Sequence, residues 1–380
     1  MLDNPVYQST FTDGDVPAAL QELFDNELFL QGMQAYLPAP LTEWLLNARN
    51  QVHSIADFQG KMAYPLLKSI EQASITALTD GGIGHLSPDM SYLFISNHRD
   101  IVLDSAYLNV VLFDEGFRTS QIAIGDNLIR HRISELIFKL NKSFIVKRSG
   151  GAQELYQYSV QMSEYIQHLI STHTDSVWIA QREGRAKDGN DRTQPGLLKM
   201  FSLSAKDRLK DYFKSLHIVP VSISYEFDPC DLLKTQEYLA KKRDPEYKKD
   251  FREDVKHILL GLNGHKGRVH FHFDAPLDAE LDAFDALSNA KKQLEYLAGL
   301  IDRSIHLNYA LHPVNYIACD LLQEADTYSA HYSPGEKTEI ERYFDVRLAQ
   351  IPEAERADGR AYLLGMYANP LLNYLAAKEA

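Results

Sequence analysis

Apolar positions recur along this chain with two different periods, and the period changes where the polar chemistry is densest. Tyr92–Ile95 is a short apolar run closed by Ser96, Asn97 and His98, which predicts a buried strand. From Ile101 onward the spacing turns helical, with Val102, Leu103, Ala106, Leu108, Val110 and Leu112 no longer alternating. Further apolar runs predict strands at 121–124, 143–147, 176–181, 217–224 and 267–273, with helical spacing at 128–140 and 152–170. Strands alternating with helices over 92–275 predict an α/β region. Ahead of it the chain reads as helical: a first stretch over 16–37, a break at Pro38 and Pro40, and a restart behind Thr42 as N-cap. A third helix is expected from Ile55 to about Leu78, closed by a turn at Asp80-Gly81-Gly82. The tail from 278 is again helical, broken at Pro313, Pro334 and Pro352. The expected division is a helical N-terminal region (1–82), an α/β region (83–278) and a helical C-terminal region (279–380).

Composition narrows the class. The 380 residues are 45% hydrophobic and 24% charged, ordinary for a globular protein of one large or two to three smaller domains. Two cysteines, Cys230 and Cys319, are too few for a disulfide framework or a Cys-rich metal site. The N-terminus lacks the basic start and apolar core of a signal peptide, and no apolar run approaches the ~18 residues that span a bilayer. These features predict a cytoplasmic protein, soluble or peripheral on a membrane. The helical N-terminal region would pack on the sheet or rest an apolar face on that membrane. A net charge of −13 argues against nucleic acid as partner. The segment from Arg118 to Lys214 is nevertheless richer in Lys and Arg than in Asp and Glu, which suits an anionic substrate.

Four blocks carry the chemistry. In the first, Asn97-His98-Arg99-Asp100 sits at a strand-to-helix turn with Asp104 close behind, the pattern of a His general base oriented by a carboxylate. The second runs from Gly125-Asp126-Asn127 through a helix to a strand ending in Lys147-Arg148-Ser149. Basic side chains meeting a Gly-containing loop there suit a phosphate. The third is a strand running into Arg182, Glu183, Gly184, Arg185 and Lys187. The fourth, 218–226, places Pro220 inside a strand, which predicts an edge position or a bulge. His270 and His272 share one face of a strand, but with no third ligand nearby they read as a packed or solvated face, and no metal site is expected.

In this order the blocks resemble the glycerolipid acyltransferase family, the glycerol-3-phosphate and 1-acylglycerol-3-phosphate (lysophosphatidate) acyltransferases. The family's motifs are a His, four residues and an Asp; a polar Gly turn with a strand ending in basic residues; a Glu-Gly-x-Arg loop; and a Val/Ile-Pro-Val strand. The resemblance covers 92–226, about a third of the chain, and 267–278 is similar to the family's late strand. It implies a mixed β-sheet flanked by helices, with helical additions at both ends. It also implies acyl transfer from acyl-CoA or acyl-carrier protein, with no bound cofactor, to a hydroxyl of a phosphorylated glycerol in phospholipid synthesis. His98 would be the base and Asp104 or Asp100 its partner. Arg99, Lys147, Arg148, Arg182, Glu183, Gly184, Arg185 and Pro220 would form the substrate site. N–H groups near Gly184 would meet the oxyanion.

Two departures stand out. Five residues separate His98 from Asp104 instead of four, so the extra one must be absorbed in the turn, because a helix rotates ~100° per residue. In the third block Glu183 stands two residues before Arg185 where the family has three, and Arg182 takes the equivalent position. The residues leave two other readings open. The same His-Asp pair could activate water in a thioesterase, which would need no basic blocks. With the dyad broken by the insertion, the protein would bind lipid or acyl carrier without turnover.

Overall fold

The computed structural model describes residues 4–129, 131–205, 208–249 and 251–379, with the side chain of Phe251 not described. Arg130, inside the helix expected over 128–140, and the first three residues of the N-terminal region lie outside them.

Seven strands form one mixed sheet: β1 (Ile75–Gly81), β2 (Leu93–Ser96), β3 (Gln121–Gly125), β4 (Ser143–Val146), β5 (Val177–Ala180), β6 (Ile218–Tyr225) and β7 (Gly267–Phe273). Their order is β1-β7-β6-β2-β5-β3-β4. β6, β2, β5, β3 and β4 run parallel, while β7 is antiparallel to β6 and β1 parallel to β7. The five parallel strands read as continuous apolar runs because both faces are covered. One face packs on the helices Ala152–Ser171, Pro195–Phe201 and Ala290–Leu307. The other packs on Leu103–Asp114. All six expected strands form.

Three expectations are corrected. The helix expected to reach Leu78 ends at Ser74, and β1 follows at once, paired with β7. The sheet therefore takes its outer strand from the stretch before residue 83. Ile75-Thr76-Ala77-Leu78-Thr79 carries the β-branched residues of a strand, but its exposed positions hid the alternation. The stretch over 16–37 divides into Val16–Phe24 and Glu27–Tyr36, where the Asn26 side chain caps the second helix by accepting from Phe29 N at 3.2 Å. Thr42 lies inside the helix Ala39–Ala48, because Pro40 falls in the first turn, where a missing N–H costs nothing.

Pro220 is a fourth correction. β6 lies between β7 and β2, so the residue is neither at an edge nor in a bulge. Its carbonyl accepts from Asp274 N at 3.0 Å, one step past the last β6–β7 pair, Val221 with Phe273. The N–H that proline lacks would fall at the end of that ladder, so one bond at most is forgone.

Candidate active site

The parallel strands β2, β3, β4 and β5 end on one side of the sheet, and the loops leaving them carry the first three blocks. Crevices outside the carboxyl ends of such strands are where open α/β sheets bind ligands. After Ser96, the Asn97 side chain clamps onto β6. Its Nδ2 donates to Ile223 O at 2.8 Å, and its Oδ1 accepts from Ile223 N at 2.7 Å. This pins the residue just ahead of His98.

The turn absorbs the extra residue through two carboxylates with separate tasks. Asp100 Oδ1 accepts from Val102 N (2.9 Å) and Leu103 N (2.8 Å), capping the helix Leu103–Asp114. Asp104, in the first turn of that helix, reaches back beneath His98. Its Oδ2 lies 2.7 Å from His98 Nδ1 and accepts from Arg99 N (2.6 Å) and Asp100 N (2.9 Å). Of the two expected partners, the structure therefore puts Asp104 on the ring and Asp100 on the helix end. With Nδ1 taken by a carboxylate, the ring's proton sits there and Nε2 carries the free lone pair. The ring packs edge-on against Trp178 at 5.7 Å, and its side chain keeps 15% of its exposure. Burial first, and then the Asp104 charge, raise the pKa of Asp100. Burial and the same two carboxylates push the Tyr225 phenol, which lies beside Asp104, well above its ordinary value.

The basic residues separate by their partners. Arg148 lies across Gly125, where a Cβ would stand 2.7 Å from its guanidinium carbon, and it pairs with Glu183 at 3.3 Å. Glu183 thus meets Arg148 and not Arg185. Lys147 turns to the opposite face of the sheet, over the Tyr158 ring at 5.0 Å and 3.2 Å from Glu154. Arg99 turns inward: 7% exposed, it donates to Tyr309 Oη at 3.0 Å and faces Asp191 at 3.7 Å. Lys187 is taken by Glu237. Arg182 and Arg185 differ from all of these, since among the described residues neither has a carboxylate within ion-pair distance. Among the described residues Arg182 Nε is buried without a hydrogen-bond partner, and Arg185 meets His257 Nδ1 at 3.4 and 3.5 Å, with its charge also felt by Asp100. Ala186 N donates to His98 O at 3.0 Å, tying the loop that carries both arginines to the turn that carries His98. In that loop Gly184 adopts φ +70°, open to solvent, while Glu183 N is taken by Gln194 Oε1.

Of the expected site residues, then, the structure gathers His98, Asp104, Asp100, Arg148, Arg182, Glu183, Gly184 and Arg185. The Arg99 side chain turns inward while its N–H stays on Asp104, Lys147 lies on the opposite face, and Pro220 is buried in the sheet. Sequence reasoning missed Trp178 beneath the ring, Tyr225 beside Asp104, and His257. Tyr225 lies in the fourth block and was within reach; His257, 72 residues from Arg185, carried no signal. His270 and His272 lie 6.1 Å apart on β7, His270 Nδ1 within 2.9 Å of Thr79 Oγ1. Among the described residues no group of three His, Cys, Asp or Glu is placed to hold a metal ion, and no helix is long and apolar enough to cross a membrane.

No family model matches the chain. The glycerol-3-phosphate acyltransferase of Alteromonas mediterranea is 26% identical over 185 residues, 49% of this chain and 21% of that protein. The glycerol-3-phosphate acyltransferase of Pseudomonas syringae is 25% identical over 255 residues, 63% of this chain and 29% of that protein. This chain thus spans well under half the length of the curated relatives it matches. A crystal structure of the 1-acyl-sn-glycerophosphate acyltransferase from Thermotoga maritima aligns with a TM-score of 0.39 at 12% identity, covering 73% of this chain and 92% of that one.

Proposed function

From the sequence likeness to glycerolipid acyltransferases, we propose that this protein is an O-acyltransferase. It moves a fatty acyl group from acyl-CoA or acyl-carrier protein to a hydroxyl of glycerol 3-phosphate or lysophosphatidate, working at the cytoplasmic face of a membrane. The observation that carries the reading is the 2.7 Å contact between His98 Nδ1 and Asp104, which leaves Nε2 facing out as a base. Nε2 takes the acceptor hydroxyl's proton, and the oxygen attacks the thioester carbonyl carbon. The tetrahedral intermediate then collapses with loss of the C–S bond, and the thiolate recovers the proton from the imidazolium. Asp104 holds the tautomer and stabilises that cation. Positioned general-base catalysis of this kind is worth about 10²–10⁴-fold. Since the thiolate leaves readily, no nucleophilic Ser or Cys is needed.

Arg182 and Arg185 hold the acceptor phosphate, because an arginine already matched to a carboxylate has less to offer a second anion. Arg148 contributes after releasing Glu183. The N–H groups of Gly184 and Arg185 are the nearest candidates for an oxyanion site in the same loop. Acceptor kinetics test the assignment. The R182A/R185A double variant should raise the KM for glycerol 3-phosphate at least tenfold and leave that for the acyl thioester unchanged. Thiol release that proceeds equally without any acceptor would make the protein a thioesterase.

A further inference from the structure

The helix Phe251–Asn263 lies outside the stretch that resembles the acyltransferase motifs, yet it closes on both halves of the site. At Gly261 an added Cβ would collide with Asp100 Oδ2 and stand 3.2 Å from Asp100 Cγ, so only glycine lets the helix approach the His98 turn this closely. One turn earlier, His257 is 2% exposed and presents Nδ1 to both terminal nitrogens of Arg185. We propose that His257 is a positioning residue that fixes the Arg185 guanidinium for the acceptor phosphate without pairing it to a counter-ion. The inference rests on the reading of Arg185 as a phosphate residue.

The chemistry follows from what an imidazole offers. An arginine has only donors, so Nδ1 meets it as an acceptor and the ring's proton resides on Nε2. Such a ring is neutral. Its surroundings keep it so: burial first, then the positive charges of Arg185, Lys249 and Lys234, push the His257 pKa down to about 3, with Glu237 the opposing charge. A carboxylate in this place would also align the guanidinium, but it would be an internal counter-ion that the substrate must displace, as Glu183 is for Arg148. A neutral acceptor aligns without competing. The helix is held from behind by the His257 carbonyl, which accepts from Cys230 Sγ at 3.4 Å.

Steady-state kinetics with varied glycerol 3-phosphate and saturating palmitoyl-CoA separate alignment from packing. H257Q keeps an acceptor, H257A removes it, and H257E adds a counter-ion. H257Q should stay within about twofold of the wild-type acceptor KM. H257A and H257E should raise it about tenfold, with H257E the worse, while kcat at saturating acceptor and the thioester KM hold steady. Inorganic phosphate, as a competitive inhibitor, should weaken in step. Equal KM values across the three variants would overturn the proposal, as a purely packed residue would give. Should H257E not fold, H257Q against H257A decides alone. R185A separates the two layers. If it raises the acceptor KM while H257A does not, the His257 inference fails and the phosphate reading stands. If R185A itself leaves that KM unchanged, the phosphate reading fails.

Discussion

Replacing Asp104 with Asn removes one charge from a wholly buried side chain and keeps its shape. Three donors converge on Oδ2: His98 Nδ1 and the N–H groups of Arg99 and Asp100. An amide has one accepting oxygen and one donating NH₂. Turning the NH₂ toward these donors would set it against two backbone N–H groups, so the oxygen keeps the Oδ2 position. The ring's tautomer then survives, and what is lost is the charge that stabilises the imidazolium as it forms. A hydrogen bond to a charged group contributes about 1.5–3 kcal/mol and one to a neutral group about 0.5–1.5, so losing the charge alone costs about 1–1.5 kcal/mol and kcat should fall about 5- to 13-fold. Complete loss of the base in H98A should cost more, about 10²–10⁴-fold. Asp100→Asn should cost under threefold, because an amide oxygen caps Val102 N and Leu103 N as a carboxylate does. The assay is thiol release from palmitoyl-CoA at saturating glycerol 3-phosphate. A D104N enzyme within threefold of wild type, or a D100N loss exceeding that of D104N, would refute the division of labour between the two carboxylates.

Lys234 is fully buried, paired with Asp228 and donating to Arg99 O at 2.9 Å, so K234A leaves a buried carboxylate unmatched and should cost about 3–5 kcal/mol in urea unfolding. A midpoint unchanged from wild type would contradict this. Gly261→Ala would gain about 1 kcal/mol as a helix substitution, but the clash with Asp100 outweighs it. Overpacking of this kind costs about 1–3 kcal/mol, so both stability and kcat should drop, whereas a more stable variant with full activity would place the helix farther from the turn. Burial first holds His257 and His312 neutral, to about 3 and about 4, while in the unfolded chain each takes a proton near ~6.5. Between those limits the unfolded state binds more protons, so stability falls as pH falls, by up to ~1.4 kcal/mol per pH unit and group. Urea midpoints measured from pH 7 to 5 should decline, and less steeply in H257Q; an identical slope in that variant removes His257 from the account.

The five parallel strands were legible because a buried parallel strand is an apolar run between turn residues, and β7 because Val269, Phe271 and Phe273 alternate with polar residues. β1 was not, since an outer strand with exposed positions next to a helix offers neither period cleanly. The His98–Asp104 contact was legible as a choice between two carboxylates. Only the turn's hydrogen bonds, with Asp100 spent on the helix end, decide it. The basic residues were the harder case: sequence marks Lys147, Arg148, Arg182, Arg185 and Arg99 alike as cations. What separates them is which carboxylate each one meets, and those partners lie up to 92 residues away in sequence, as Asp191 does for Arg99. Pro220 misled for a related reason, because the cost of a missing N–H depends on where the neighbouring strand ends.

The central claim is acyl transfer by His98 to a phosphorylated glycerol, and one measurement reaches it directly. Radiolabelled glycerol 3-phosphate and lysophosphatidate would be incubated separately with palmitoyl-CoA, and with palmitoyl-acyl-carrier protein, using wild type and H98A. The account predicts a labelled acyl ester from at least one pairing with the wild type, and its near disappearance in folded H98A. Thiol release without any labelled ester, or ester formation undiminished in H98A, would contradict it.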